Sequence, residues 1–155
     1  MVLLKKKILV IALVGIIVDR ISKILVSSSN GYVVIKNFFN ITYAKNFGAA
    51  WSMFSGNRLF LIIITVFALL FILFYIYKAK NINKIETLSY GFILGGIIGN
   101  FIDRLFFGYV IDFLDFNLFG YNFPIFNIAD SLIVIGAIIM IIASFVRGDR
   151  NESSD

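Results

Sequence analysis

The sequence predicts an all-α integral membrane protein of four transmembrane helices, with a small β-like extracytoplasmic segment between the first two. Three observations carry that expectation. Hydrophobic residues make up 60% of the 155 and charged residues 15%, with a mean hydropathy of +0.95, far more apolar than a soluble domain of this length. Four stretches, about 8–26, 59–77, 88–107 and 128–146, approach the roughly 20 apolar residues a helix needs to cross a bilayer. Lys and Arg gather on one side of these stretches, the asymmetry that marks cytoplasmic loops.

The stretches must be helices. Lipid offers no partner to a bare N–H or C=O, and runs this long and continuous lack the alternation of a barrel strand. Lys5, Lys6, Lys7, Lys78, Lys80, Lys84, Arg147 and Arg150 fall on one side, against Lys36, Lys45 and Arg58 on the other. Both termini are therefore expected in the cytoplasm. The first span follows three lysines, as a cleavable secretory signal would. Asp19, Arg20 and Lys23 interrupt it where a small-residue cleavage site would be needed, so it reads as a working helix.

The segment 30–56 is polar and aromatic. Its Val, Ile, Tyr and Thr content and its Asn30-Gly31 start favour a short strand or hairpin at the interface, with aromatics at the headgroup level. Asn40-Ile41-Thr42 matches a glycosylation sequon, but so short a pattern recurs by chance and nothing else suggests a glycosylating compartment, so the plain reading is a turn. In the third span Gly91, Gly95 and Gly99 recur every four residues and offer a groove for another helix. Pro124 stands alone, no linker or repeat divides the chain, and 147–155 reads as a polar, mobile tail. One membrane domain over 1–155 is expected.

With no cysteine and no histidine, the chain has no disulfide framework, cysteine nucleophile, thiolate zinc site or imidazole base. Its net charge of +5 does not indicate nucleic acid, because the basic residues flank or sit within apolar runs rather than lining one face. Hydrolytic chemistry would fall to carboxylates, hydroxyls or lysine.

Ionisable residues inside spans are costly and are paired or functional by default. At about 1.5 Å per residue, Asp19 and Lys23 lie roughly 16 and 22 Å from the cytoplasmic end of the first span. Asn100, Asp103 and Arg104 lie about 18 to 24 Å along the third, and Asp130 enters the fourth from the outer side. Asp19 and Lys23, spaced i and i+4, can form an ion pair. Asp103 with Arg104 reads as a charge-balanced support. Asp112 and Asp130, in VIDFLD and FNIAD, can reach one depth from different spans. Two adjacent carboxylates share a proton, so one can activate water while the other polarises a carbonyl. Asp115 is an equally near candidate, though its outer-loop setting suits a solvated charge. Composition and spacing alone leave catalysis by these carboxylates and a purely structural role both open.

Five blocks then resemble the lipoprotein signal peptidases: D-R-I-S-K at 19–23, N-F-G-A-A-W at 46–51, G-G-I-I-G-N-F-I-D-R at 95–104, V-I-D-F at 110–113 and F-N-I-A-D-S at 126–131. Their order and the four spans match that family. The resemblance implies an aspartic endopeptidase that removes signal peptides from bacterial prolipoproteins, cutting before a diacylglyceryl-modified cysteine at the outer face of the cytoplasmic membrane. It also implies no metal or organic cofactor, and lipidated prolipoproteins and membrane lipid as partners. Asp112 and Asp130 match the family's catalytic pair. Asp19, Lys23, Asn46, Gly48, Asn100, Asp103, Arg104, Asn127 and Ala129 match positions that shape or support the site. Arg20 departs from the pattern, where the family more often has an uncharged Gln. A monomer is expected, since one chain carries both aspartates. Two other readings compete: a small ion or proton transporter using the intramembrane charges, and a non-enzymatic assembly factor binding a partner through the glycine-rich span.

Overall fold

A computed structural model describes residues 2–29, 31–79 and 81–152, with side chains described for 3–29, 31–79 and 81–145. In chain order the elements are α1 (Val2–Ser27), β1 (Tyr32–Ile35), β2 (Phe39–Asn46), a single 3-10 turn at Ala50–Ser52, α2 (Arg58–Lys78), α3 (Lys84–Phe106), β3 (Val110–Leu118), β4 (Tyr121–Asn122) and α4 (Ile128–Glu152).

The helix ends follow local chemistry. Asn57 accepts from the Phe60 amide to open α2. α3 starts at Lys84, ahead of the expected 88, because Asn83 and Glu86 form a reciprocal capping box: Asn83 Oδ1 accepts from the Glu86 amide and Glu86 Oε2 from the Asn83 amide. At its other end Gly108 takes a positive φ of 81°, the left-handed turn that glycine adopts without a Cβ penalty. Arg58 donates from Nε to the Arg104 carbonyl and from Nη2 to the Leu105 carbonyl, at 2.9 and 2.8 Å. Last-turn acceptors are thereby satisfied, and the start of α2 is tied to the end of α3.

α3 is the central helix, and glycines let its neighbours approach closely. A Cβ at Gly95 would stand 3.0 Å from the Ala12 carbonyl oxygen of α1, and one at Gly136 of α4 would stand 3.0 Å from that of Ser89 in α3. Gly91, Gly95 and Gly99 therefore seat α1, as the four-residue repeat suggests, while Gly96 faces Ala129 and Ile133 of α4. Away from the sheet, Ile8, Ala12, Ile82 and Leu94 form a buried apolar cluster. Lys5 Nζ donates to the Tyr77 carbonyl at 3.0 Å, bringing the lysine-rich start of α1 to the end of α2.

Among the described residues, α2, α3 and 128–145 of α4 are long and apolar enough to cross a membrane. α1 is as long, but Lys5, Lys6, Lys7, Asp19, Arg20 and Lys23 keep its composition from marking it as a crossing helix.

Two expectations are corrected. The β structure is not confined to the segment between the first two helices: all pairs are antiparallel in a sheet ordered β1-β2-β3-β4, so half its strands follow α3. Burial on both faces hides the alternation in Val110, Ile111, Asp112 and Phe113 that would have marked β3. α4 also runs on to Glu152 rather than ending near 146, so most of the expected polar tail is helical backbone. Ser153, Ser154 and Asp155 lie outside the described residues, as do Asn30 of the expected hairpin start and Lys80 of the expected basic loop.

Candidate active site

The sheet packs at the end of the bundle where α1 and α3 finish and α4 begins, and the polar residues converge there. α4 opens on its own capping box: Asn127 Oδ1 accepts from the Asp130 amide at 2.9 Å, and Asp130 Oδ2 accepts from the Asn127 amide at 3.2 Å. Asp130 is therefore the third residue of the helix, held by the group it helps to cap. Asp112 arrives on β3, opposite Ala44 of β2. A bulge in β2 between Ile41 and Ala44 shifts the register just before that pair. Asn46, at the end of β2, donates from Nδ2 to Asp112 Oδ2 at 2.9 Å, while its Oδ1 accepts from the Gly48 amide at 2.9 Å.

Asn127 joins the two acids. Its side-chain amide donates to Asp112 Oδ1 at 2.6 Å while its backbone amide holds Asp130. Asn100 of α3 donates from Nδ2 to Asp130 Oδ1 at 2.7 Å. Its Oδ1 receives Lys23 Nζ at 3.0 Å and Asn127 Nδ2 at 3.1 Å, which leaves its amide nitrogen free to face Asp130. Every oxygen of both carboxylates has a donor. Asp112 is 3% exposed, and burial first, then the nearby charge of Asp130, pushes its carboxyl from the ordinary 3.8 up to about 7. A carboxyl with that affinity holds a proton to near-neutral pH, which suits it to acid–base chemistry.

Behind the acids lies a buried charge cluster. Lys23, with no exposed surface, stands 2.8 Å from both Asp19 Oδ2 and Asp103 Oδ2. Asp19 Oδ1 accepts from the Ala129 amide at 2.9 Å and Asp103 Oδ2 from the Ile111 amide at 3.2 Å, so these acids brace α4 and β3. The i, i+4 pair of Asp19 with Lys23 is present as the spacing suggests. Asp103 forms its ion pairs with Lys23 and Arg20 rather than with Arg104, which stays within electrostatic reach of Asp103 and donates from Nη2 to the Gly48 carbonyl at 3.1 Å. Neighbours in a helix point in different directions, so Arg104 reaches the β2 side while Asp103 faces α1. Asp115 is likewise not a free surface charge, since it is half-buried on β3 and accepts from Thr42 at 3.1 Å.

All eleven residues singled out in the sequence fall within this network, with Gly48 in it through its backbone and Ala129 through its amide. Sequence reasoning missed Arg20 as the partner of Asp103 and Arg58 as the clasp on α3. The signal available for Arg58 was a lone arginine at the outer end of an otherwise apolar span.

Fold and site together define an integral membrane protein with two linked carboxylates, Asp112 buried and Asp130 half-buried, at one end of its helices. A family model described as signal peptidase (SPase) II matches residues 11–146. A lipoprotein signal peptidase of Staphylococcus haemolyticus (strain JCSC1435) is 44% identical over 149 residues, covering 93% of this chain and 94% of that protein. One from Staphylococcus aureus (strain JH9) is 40% identical over 139 residues, covering 87% and 85%. A bacterial membrane enzyme solved by the in meso method at 2.3 Å resolution superposes with a TM-score of 0.84 at 38% identity, over 92% of this chain and 90% of that one. Another, at 1.9 Å resolution, gives 0.79 at 40% identity over 88% and 90%. The chain belongs to the signal peptidase II family of membrane aspartic signal peptidases.

Proposed function

We propose that the chain removes signal peptides from prolipoproteins with Asp112 and Asp130 as its catalytic pair, cutting before a diacylglyceryl-modified cysteine at the outer face of the cytoplasmic membrane. The observation that carries this reading is the shared hold of Asn127 on both carboxylates, one through its side chain and one through its backbone. One carboxylate takes a proton from water as its oxygen attacks the scissile carbonyl carbon, and the partner acid gives its proton to the carbonyl oxygen. Collapse of the tetrahedral intermediate breaks the C–N bond, and the departing amine takes up a proton. Asn46 and Asn100 hold the acids in place.

α1 is the fourth span in this reading. Asp19 and Lys23 are 1% and 0% exposed, so the protein rather than lipid surrounds them. Both termini are cytoplasmic, given the lysines at the start of α1 and around the α2–α3 connection, which leaves the carboxylates near the outer interface. The chain works as one domain and as a monomer. A lipid-anchored cysteine stays at that interface, where the segment 46–56 with its exposed Trp51, Met53 and Phe54 can cover the cut site. A transport path would need charge along the whole depth, whereas the other end of the bundle is filled by Ile8, Ala12, Ile82 and Leu94.

The test is cleavage of a diacylglyceryl-modified precursor beside an unmodified one. Asp112→Asn and Asp130→Asn should each insert normally and lose cleavage by about a thousandfold or more. Near-normal processing by either variant would refute the assignment. Because the Asp112 carboxyl is pushed up to about 7, the pair keeps its proton below that pH and loses it above, so cleavage should decline as pH rises through about 7.

A further inference from the structure

Behind the carboxylates, Lys23 and Arg20 are the cations that form ion pairs with Asp19 and Asp103. Lys23 is one ammonium facing two acids, Asp19 and Asp103, each at 2.8 Å. That trio carries one negative charge more than its ion-paired cation offsets, in a protein interior where fields are weakly screened. Arg20 supplies the second cation through Nη1 on Asp103 Oδ1. Its guanidinium lies over the Phe107 ring, 5.1 Å from the centroid, and its side chain is 25% exposed, so it reaches the acid from the rim.

Asp103 is linked to both members of the pair. Its Oδ2 accepts from the amide of Ile111, the residue before Asp112. The lysine it grips donates to Asn100, and Asn100 in turn donates to Asp130. A chain of contacts therefore runs from Arg20 through Asp103 to both carboxylates.

We propose that Arg20 is a positioning residue that sets how tightly the Asp112–Asp130 pair holds its proton, by cancelling the second charge on Asp103 and keeping Lys23 centred on Asn100. This rests on the carboxylate pair proposed above. The charged and titratable groups around the pair are Asp19, Arg20 and Lys23 from α1 and Asp103 and Arg104 from α3. The sheet adds Tyr43 and Tyr109, with Lys45 over the Tyr109 ring at 4.9 Å. Tyr43, pushed up to about 12 by its hydrogen bond to Tyr109, carries no charge near neutral pH. Among the described residues, Arg20 and Lys23 are the cations that pair with Asp103. Loss of Arg20 leaves extra negative charge beside the pair, so the proton is held more tightly.

The experiment compares wild type, Arg20→Gln and Arg20→Lys by the pH dependence of kcat/KM on a lipidated precursor. Arg20→Gln should move the alkaline limb upward by about half a pH unit or more, and Arg20→Lys should bring it back. Since the chain has no cysteine, Arg20→Cys can also be labelled with a cationic aminoethyl thiosulfonate or a neutral reagent of similar size. The cationic label should restore the wild-type limb and the neutral one should not. A second readout needs no cleavage. Asp112 has a raised carboxyl, so its proton contributes folded-state stability that is full below about pH 4 and lost as pH rises to about 7. Thermal unfolding measured against the same protein carrying Asp112→Asn should show that loss levelling off at higher pH in Arg20→Gln than in the protein with Arg20 intact. If wild type leaves the lipidated precursor uncut, the proposed function fails while this titration still decides the role of Arg20. Superimposable curves for wild type and Arg20→Gln, or a neutral label as effective as the cationic one, would overturn the inference.

Discussion

α2 and α3 are both long and apolar enough to cross a membrane, yet they meet different solvents. α2 fully buries Leu61 alone, packs Leu69, Ile72 and Ile76 half-buried against the core cluster, and exposes most of the remaining apolar side chains. α3 buries Thr87, Ser89, Asn100 and Asp103 together with Gly91, Gly95, Gly96 and Gly99. In water a buried amphipathic face is the apolar one; here the helix inside the protein is the polar one, because lipid satisfies apolar groups and only protein can satisfy the rest. The glycines are what allow it. They bring α1 and α4 so close that Lys23 and the Ala129 amide reach acids across the helix boundaries.

The contrast can be broken first at its charged centre. Lys23→Met removes the cation shared by Asp19 and Asp103 and should cost about 3 to 5 kcal/mol of stability in detergent micelles, with cleavage lost as Asn100 is released. A penalty below about 1 kcal/mol would mean the cluster is not buried as described. Gly96→Leu touches no charge, but a Cβ there meets the Ala129 carbonyl and Ile133, so α4 must shift. It should cost about 1 to 3 kcal/mol and lower cleavage by moving Asp130, whereas a thermally silent variant would show that α3 and α4 are not in close contact. On the outer helix, Phe67→Leu alters a side chain that is 69% exposed. Its unfolding should change by less than about 0.5 kcal/mol, and a larger loss would indicate that α2 faces protein rather than lipid.

Much of this architecture was legible beforehand because hydropathy and charge are properties of the chain taken in order. Length and apolarity mark the crossing helices, the four-residue glycine spacing marks the face that seats α1, and Asn100, Asn127 and the acids stand out as polar residues in apolar company. β3 did not stand out, since a strand buried on both faces loses its period. The ion-pair partners of Asp103 are hidden for a related reason, because adjacency along the chain points to Arg104.

By itself the sequence determined that the chain belongs in a membrane, which residues could do chemistry there, and which family pattern they follow. The tertiary structure alone decided that Asp112 rides on a strand, that Asn127 holds both acids and that Arg20 answers Asp103. Those pairings depend on how each helix is rotated and how near its neighbour comes. That distance is set by glycine contacts between segments far apart in the chain, which no local periodicity records.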